Sequence, residues 1–230
     1  MPGPRPLPTV RGRFLKVCCI QSVEEAAAAA RAGASAVGLV SAMPSGPGVI
    51  DEASITAIVP GLPPGVLSVL LTSAVDASAI VAQARRTGVA ALQLVDRVPP
   101  EVHREICRAL PSVLVLQVIH VVDEASVDEA LDAAARPGVD ALLLDSGNPA
   151  AAVKELGGTG RVHDWSLSAR IRREARVPVV LAGGLRPDNV RDALAAVDPA
   201  GLDVCSGVRT GGWLDEAKLG AFTSALRAAG

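Results

Sequence analysis

Residues 14–33 read FLKVCCIQSVEEAAAAARAG, and the fold is decided there. Phe14 to Ile20 form an apolar run of strand length, while Val23 to Ala32 are Ala-rich and helical in composition. Ser22 stands where a side chain caps the first helical amides, and Gly33 where a left-handed residue ends the last turn. A strand followed at once by a capped crossover helix is the unit of a parallel sheet, whose buried strands show continuous apolar runs instead of alternation.

Outward from this stretch the unit recurs without a change of composition. Further strand-like runs are Ala34 to Ser41, Val66 to Thr72, Val89 to Val95, Val113 to Val121, Val139 to Asp145, Val177 to Ala182 and Gly201 to Ser206. The helical stretches between and after them are Glu52 to Val59, Ala77 to Thr87, Pro100 to Leu110, Glu124 to Ala135, Ser166 to Ala175, Pro187 to Ala196 and Asp215 to Ala228. Eight units are the number that closes a barrel, and 230 residues suit one domain of about 200–250. The reading is α/β, a single (β/α)8 TIM barrel over residues 14–230, preceded by a Pro-rich arm over residues 1–13 that is expected to be flexible. An open doubly wound sheet uses the same unit and is its rival. Both folds put chemistry at the C-terminal ends of the strands.

Composition narrows the function. Hydrophobic residues are 50% of the chain but aromatic ones only 2%, so the core is built from Ala, Val, Leu and Ile. A net charge of −2 and the absence of Tyr leave neither a basic footprint nor stacking platforms for nucleic acid. Cys18, Cys19, Cys107 and Cys205 have no C-x-x-C spacing and read as reduced thiols of a cytoplasmic protein, with no disulfide expected. No run reaches the ~18 apolar residues of a membrane span, and the first dozen residues lack the apolar segment of a targeting peptide.

The candidate chemistry sits where strands end. Side-chain alternation along the first strand sends Cys18 and Cys19 to opposite faces, so one of them faces the mouth. A buried Cys is commonly a small hydrophobe, but near an electropositive anion site its thiol becomes reactive. Asp145 ends the sixth strand, where it either caps the next turn or acts as an acid in an apolar mouth. The Gly157-Gly158-Thr159-Gly160 segment lies in a long loop, as a lid would. Gly183-Gly184 and Ser206-Gly207 follow the seventh and eighth strands, the usual phosphate position in barrels. Lys16 sits early in its strand and Lys154 and Lys218 lie off the strand ends, which disfavours Schiff-base chemistry. His103, His120 and His163 have no ligand spacing, so no metal is expected. Of these, His103 reads as a solvated helix residue, while His120 could face the mouth.

Together, Lys16-Val17-Cys18 with Ile20, Leu142-Leu143-Leu144-Asp145, Gly157-Gly158-Thr159-Gly160 with Asp164-Trp165, Leu181-Ala182-Gly183-Gly184-Leu185 with Pro187-Asp188-Asn189-Val190, and Asp203-Val204 with Ser206-Gly207-Val208 resemble the phosphoribosylanthranilate isomerase family of tryptophan biosynthesis. The resemblance covers residues 14–226. It implies an Amadori rearrangement of an N-phosphoribosyl amine to an aminodeoxyribulose phosphate, with Cys18 removing the sugar C2 proton and Asp145 protonating the ring oxygen. Gly158, Gly160, Gly183, Gly184, Ser206 and Gly207 would hold the phosphate. It implies no cofactor, a small sugar phosphate as the only partner, and a monomer or homodimer.

The departures lie in the half of the site that would read the amine. Cys19 replaces a Gly, Gln93-Leu94-Val95-Asp96 replaces Gln-Leu-His-Gly, and Arg209 replaces a Glu. The loop Met43 to Ile50 lacks the family's carboxylate-binding Arg. Arg209 is the candidate replacement for that contact. Two further readings stay open on these residues: the same chemistry on a different N-phosphoribosyl amine, and a non-catalytic phosphosugar-binding barrel.

Overall fold

A computed structural model describes residues 4–9, 12–147 and 160–229. The apolar runs become β1 (Phe14–Val17), β2 (Ala36–Val40), β3 (Leu67–Thr72), β4 (Ala91–Leu94), β5 (Leu114–His120), β6 (Ala141–Asp145), β7 (Val179–Leu181) and β8 (Gly201–Val204). Each pairs in parallel with the next, and β8 returns to β1 in register from Phe14↔Gly201 to Val17↔Val204, so the sheet closes and the open alternative is excluded. The crossover helices are α1 (Val23–Ala32), α2 (Glu52–Ile58), α3 (Ala77–Thr87), α4 (Pro100–Ala109), α5 (Ala125–Ala134), α6 (Trp165–Glu174), α7 (Val190–Val197) and α8 (Glu216–Arg227). Ser22 caps α1 by accepting the Glu25 amide at 3.2 Å, and Gly33 ends it at φ 102°. None of the described helices is long and apolar enough to cross a membrane.

Alternation divides the buried side chains into two layers. Leu15, Val17, Val37, Leu39, Leu92 and Leu142 point outward under the helices. Phe14, Cys18, Val40, Leu71, Val95 and Leu143 point into the barrel. A fully buried Val, Leu or Ile stabilises by about 1.5–3 kcal/mol, so the larger layer under the helices holds most of the fold. The narrow interior holds the chemistry.

Two segments lie outside the repeating unit. At the N-terminal end of the barrel, Leu7 packs against the interior layer beside Leu67. Arg5 there donates to Asp140 from Nε at 3.0 Å and Nη2 at 2.6 Å. At the mouth, β9 (Arg209–Thr210) and β10 (Trp213–Leu214) form a hairpin that the strand count did not anticipate. Its two-residue turn, Gly211-Gly212 at φ 58° and 86°, takes the conformation that tight hairpins demand of glycine.

His103 corrects the sequence reading. It is fully buried rather than solvated, and its Nε2 lies 2.8 Å from Gln117 Oε1 on the outer face of β5. Burial lowers its pKa, so it packs as a neutral ring. His120 ends β5 on the interior side, with Nε2 2.9 Å from the Val95 carbonyl.

Candidate active site

β1 delivers the first group. Lys16, Cys18 and Phe14 share its interior face, and Gly38 on β2 leaves room for them: a Cβ there would stand 2.8 Å from Cys18 Sγ and 3.1 Å from Lys16 Nζ. Lys16 therefore does not idle early in its strand. It is fully buried, in register with Asp203 on β8, and its Nζ lies 2.7 Å from Asp203 Oδ2.

Cys19 overturns the expectation that only one of the two adjacent thiols faces the mouth. The ladder ends at Val17, and Cys19 turns to φ 62°, a left-handed conformation that costs an L-residue roughly 1–2 kcal/mol. The turn brings its side chain back beside Cys18, and both line one cavity. Gly48 makes this possible, because a Cβ at its position would lie 2.5 Å from Cys19 Cβ. The residue that departs from the family's Gly thus keeps a glycine's backbone and adds a thiol.

The electrostatics follow from this packing. Donation from the Cys19 thiol and the nearby Lys16 ammonium hold Cys18 below the usual thiol range, against burial and the Asp203 carboxylate. Cys19 is pushed well up because it donates to Cys18, contacts Cys205 and is buried. Burial would depress Lys16, yet Asp203 and Cys18 raise it above the ordinary lysine range. The site therefore holds an ammonium under a thiol that ionises early.

Asp145 faces this group across the mouth at the end of β6, and accepts the Ser146 amide at 2.7 Å. Its charge, behind burial and alongside Lys16's opposing pull, helps raise the pKa of Asp203. His163 lies close enough to feel Asp145, but burial dominates and lowers its pKa, leaving a neutral ring with Nε2 2.7 Å from Ser168 Oγ.

The opposite wall is made of small turns. Gly160, Gly183, Gly184 and Ser206 line the cavity. Gly207 lies behind this wall: its Cβ would fall 2.0 Å from the Leu185 carbonyl oxygen, as one at Gly184 would fall 2.6 Å from the Arg161 carbonyl carbon. Only glycine lets the three loops after β6, β7 and β8 meet so closely. Gly158 lies outside the described residues.

Arg209 is the second correction. Its side chain is 6% exposed and pairs with Glu25 on α1, Nη2 to Oε2 at 3.1 Å. The same guanidinium donates to the carbonyls of Gly212, Cys18 and Cys19. It borders a neighbouring groove with Trp213 and not the mouth cavity. Its Nη1 and Nη2 donors hold the β9–β10 hairpin and the Cys18-Cys19 turn against α1, and its Nε is buried without a partner among the described residues, so it is not offered to a carboxylate in the mouth cavity.

Sequence reasoning missed two groups in the cavity, Asp203 and Gln93, and the Lys16 buried beneath it. Lys16, Asp203 and Gln93 required knowing that β8 closes on β1 and which face of β4 turns inward. Asp203 Oδ1 and Gln93 Oε1 are buried with no hydrogen-bond partner among the described residues, and both side chains line the cavity. Buried polar atoms left in this state mark places for ligand hydroxyls or amines. Among the described residues, no group of His, Cys, Asp and Glu could hold a metal ion.

A closed barrel with a thiol and a carboxyl facing each other across a glycine-walled mouth defines a proton-transferring isomerase. The model of the family N-(5′-phosphoribosyl)anthranilate (PRA) isomerase matches residues 15–225. An N-(5′-phosphoribosyl)anthranilate isomerase of Desulforudis audaxviator is 39% identical over 218 residues, 94% of this chain and 98% of its own. One of Methanosarcina mazei is 36% identical over 210 residues, 89% and 90% of the two chains. The crystal structure of the Thermotoga maritima phosphoribosyl anthranilate isomerase superposes with a TM-score of 0.80 at 31% identity, covering 94% of this chain and 99% of its own. This chain belongs to the N-(5′-phosphoribosyl)anthranilate isomerase family.

Proposed function

We propose that the protein converts N-(5′-phosphoribosyl)anthranilate to 1-(2-carboxyphenylamino)-1-deoxyribulose 5-phosphate, with Cys18 as base and Asp145 as acid. One observation carries the assignment: the two side chains face one cavity, and Cys18 alone among its thiols rests against the buried Lys16–Asp203 pair. Asp145 donates a proton to the ring oxygen as its bond to C1 breaks, and the amine lone pair completes a C1–N double bond. The Cys18 thiolate then takes the C2 proton, and the electron pair flows back to give the enolamine. Ketonisation at C2 yields the product and returns the protons. Asp203 Oδ1 and Gln93 Oε1 accept hydrogen bonds from the sugar hydroxyls. Gly160, Gly183, Gly184 and Ser206 bring backbone close to the phosphate, with Gly207 setting the turn. A solved family member in complex with reduced 1-(o-carboxyphenylamino)-1-deoxyribulose 5-phosphate, TM-score 0.78 and 29% identity, supports that ligand class.

The amine end favours a second reading. No Arg or Lys is among the described residues that line the cavity, and Arg209 is engaged elsewhere, so recognition of the anthranilate carboxylate lacks a cationic partner there. The same chemistry on an uncharged N-phosphoribosyl amine fits this mouth. The test is turnover of freshly made phosphoribosylanthranilate, followed by loss of its fluorescence, beside the N-phosphoribosyl adduct of aniline. Cys18→Ala and Asp145→Asn should each lower kcat by about 10²–10⁴-fold. Full activity in either variant removes that residue from the mechanism, and a higher kcat/KM for the aniline adduct selects the second reading.

A further inference from the structure

The thiols at the mouth do more than the isomerisation requires. Cys205 Sγ lies 2.8 Å from Cys19 Sγ, and the two residues extend adjacent strands, β1 and β8, just past their last paired residues Val17↔Val204. We propose that Cys19 and Cys205 form a dithiol that peroxide closes to a disulfide across the β1–β8 seam, reversibly slowing the enzyme.

The arrangement suits bond formation. A disulfide is about 2.05 Å long, so the sulfurs need to approach by less than ~1 Å. Cys19 points at Cys205 because of its left-handed backbone, and an alternating strand residue would point away. Cys205 is partly exposed and both side chains line a cavity open to solvent, which admits a small peroxide. Cys107, the remaining thiol, packs against Gly138 on the helix side of the barrel and has no thiol beside it.

The chemistry balances. One thiol, as thiolate, attacks a peroxide oxygen; the O–O bond breaks, the leaving hydroxide takes a proton to become water, and a sulfenic acid remains. The second thiol displaces that hydroxyl from sulfur, and a second water leaves. Two thiols are oxidised and one hydrogen peroxide is reduced. The new bond ties the Cys19 turn, which shares the cavity with Cys18, to the end of β8 and takes from Cys18 the neighbouring thiol that helps it ionise early. The loss of rate rests on the reading of Cys18 as base, whereas the cross-link does not.

The full chain is treated with hydrogen peroxide, alkylated, digested with trypsin and mapped by mass spectrometry. The expected product joins the peptide Val17–Arg31 to Asp192–Arg209, with fragment ions placing the bond on Cys19 and alkylation on Cys18. Activity should fall about tenfold or more and return with dithiothreitol. Cys205→Ser should lose both the cross-link and the reversible inhibition, and Cys107→Ser should keep both. Cys205 recovered alkylated after oxidation, a bond to Cys18, or reversible inhibition persisting in Cys205→Ser overturns the proposal. A cross-link without loss of rate keeps the dithiol and counts against Cys18 as base, so the two readings fail separately.

Discussion

Lys16 Nζ and Asp203 Oδ2 lie 2.7 Å apart inside the barrel, on neighbouring strands in register, one interior position below the Cys18 thiol. The pair is both structural and electrostatic. Removing one partner of a buried ion pair leaves an uncompensated charge and costs about 3–5 kcal/mol. Neutralising both partners avoids most of that cost.

The Lys16→Met/Asp203→Asn double variant should therefore unfold closer to wild type than Lys16→Met alone. Its Cys18 should nevertheless titrate higher, because the lowering influence of Lys16 on that thiol outweighs the raising influence of Asp203. In the wild type the thiolate is present from below the ordinary thiol range upward, so the acid limb of kcat and of iodoacetamide inactivation lies there. In the double variant both limbs should move to higher pH together. Inactivation with an unshifted pH profile would show that the pair does not act on Cys18.

Arg209 and Glu25 make a prediction of the opposite kind. Glu25 accepts from Arg209 and from the amides of Leu214 at 2.7 Å and Gln21 at 3.0 Å. Burial alone would raise its pKa, but these partners lower it. The stability contributed by this group is thus present above the ordinary carboxylate range and lost as pH falls through its depressed folded value. Arg209→Met should cost about 3 kcal/mol at neutral pH, and less in acid where Glu25 is protonated. The variant's KM for phosphoribosylanthranilate, measured below its melting temperature, should stay within about twofold, since a tenfold change would mark a lost contact worth ~1.4 kcal/mol. A large rise in KM without loss of stability would return Arg209 to the substrate.

These two pairs show where the sequence was readable. α1 begins and ends where Ser22 and Gly33 put it, because caps are local hydrogen bonds between residues a few positions apart. Closure of the barrel was legible as a count of eight, and Asp145, Gly183, Gly184 and Ser206 as strand-end positions. Lys16–Asp203, Arg209–Glu25 and His103–Gln117 were not. Their partners are set by which strands and helices become neighbours in space, and a polar residue in an apolar run does not announce its partner. Cys19 failed for another reason: alternation was carried two residues past Val17, where the ladder that enforces it had already ended.

Cys19 and Gly48 give the sharpest test of that last point. Both have positive φ, 62° and 74°, and a Cβ at Gly48 would sit 2.5 Å from Cys19 Cβ and 3.0 Å from Cys19 Cα. Gly48→Ala should therefore destabilise through both backbone strain and overlap, by about 2–4 kcal/mol in all. Cys19→Gly removes the Cβ that the methyl introduced by Gly48→Ala would strike, and frees the turn of its own left-handed strain of roughly 1 kcal/mol. In that background Gly48→Ala should cost at least ~1 kcal/mol less than in the wild type, the signature of residues in contact. Denaturant unfolding of the four proteins measures the coupling. If the two costs simply add, Cys19 does not hold the turned-back conformation that places a second thiol in the mouth.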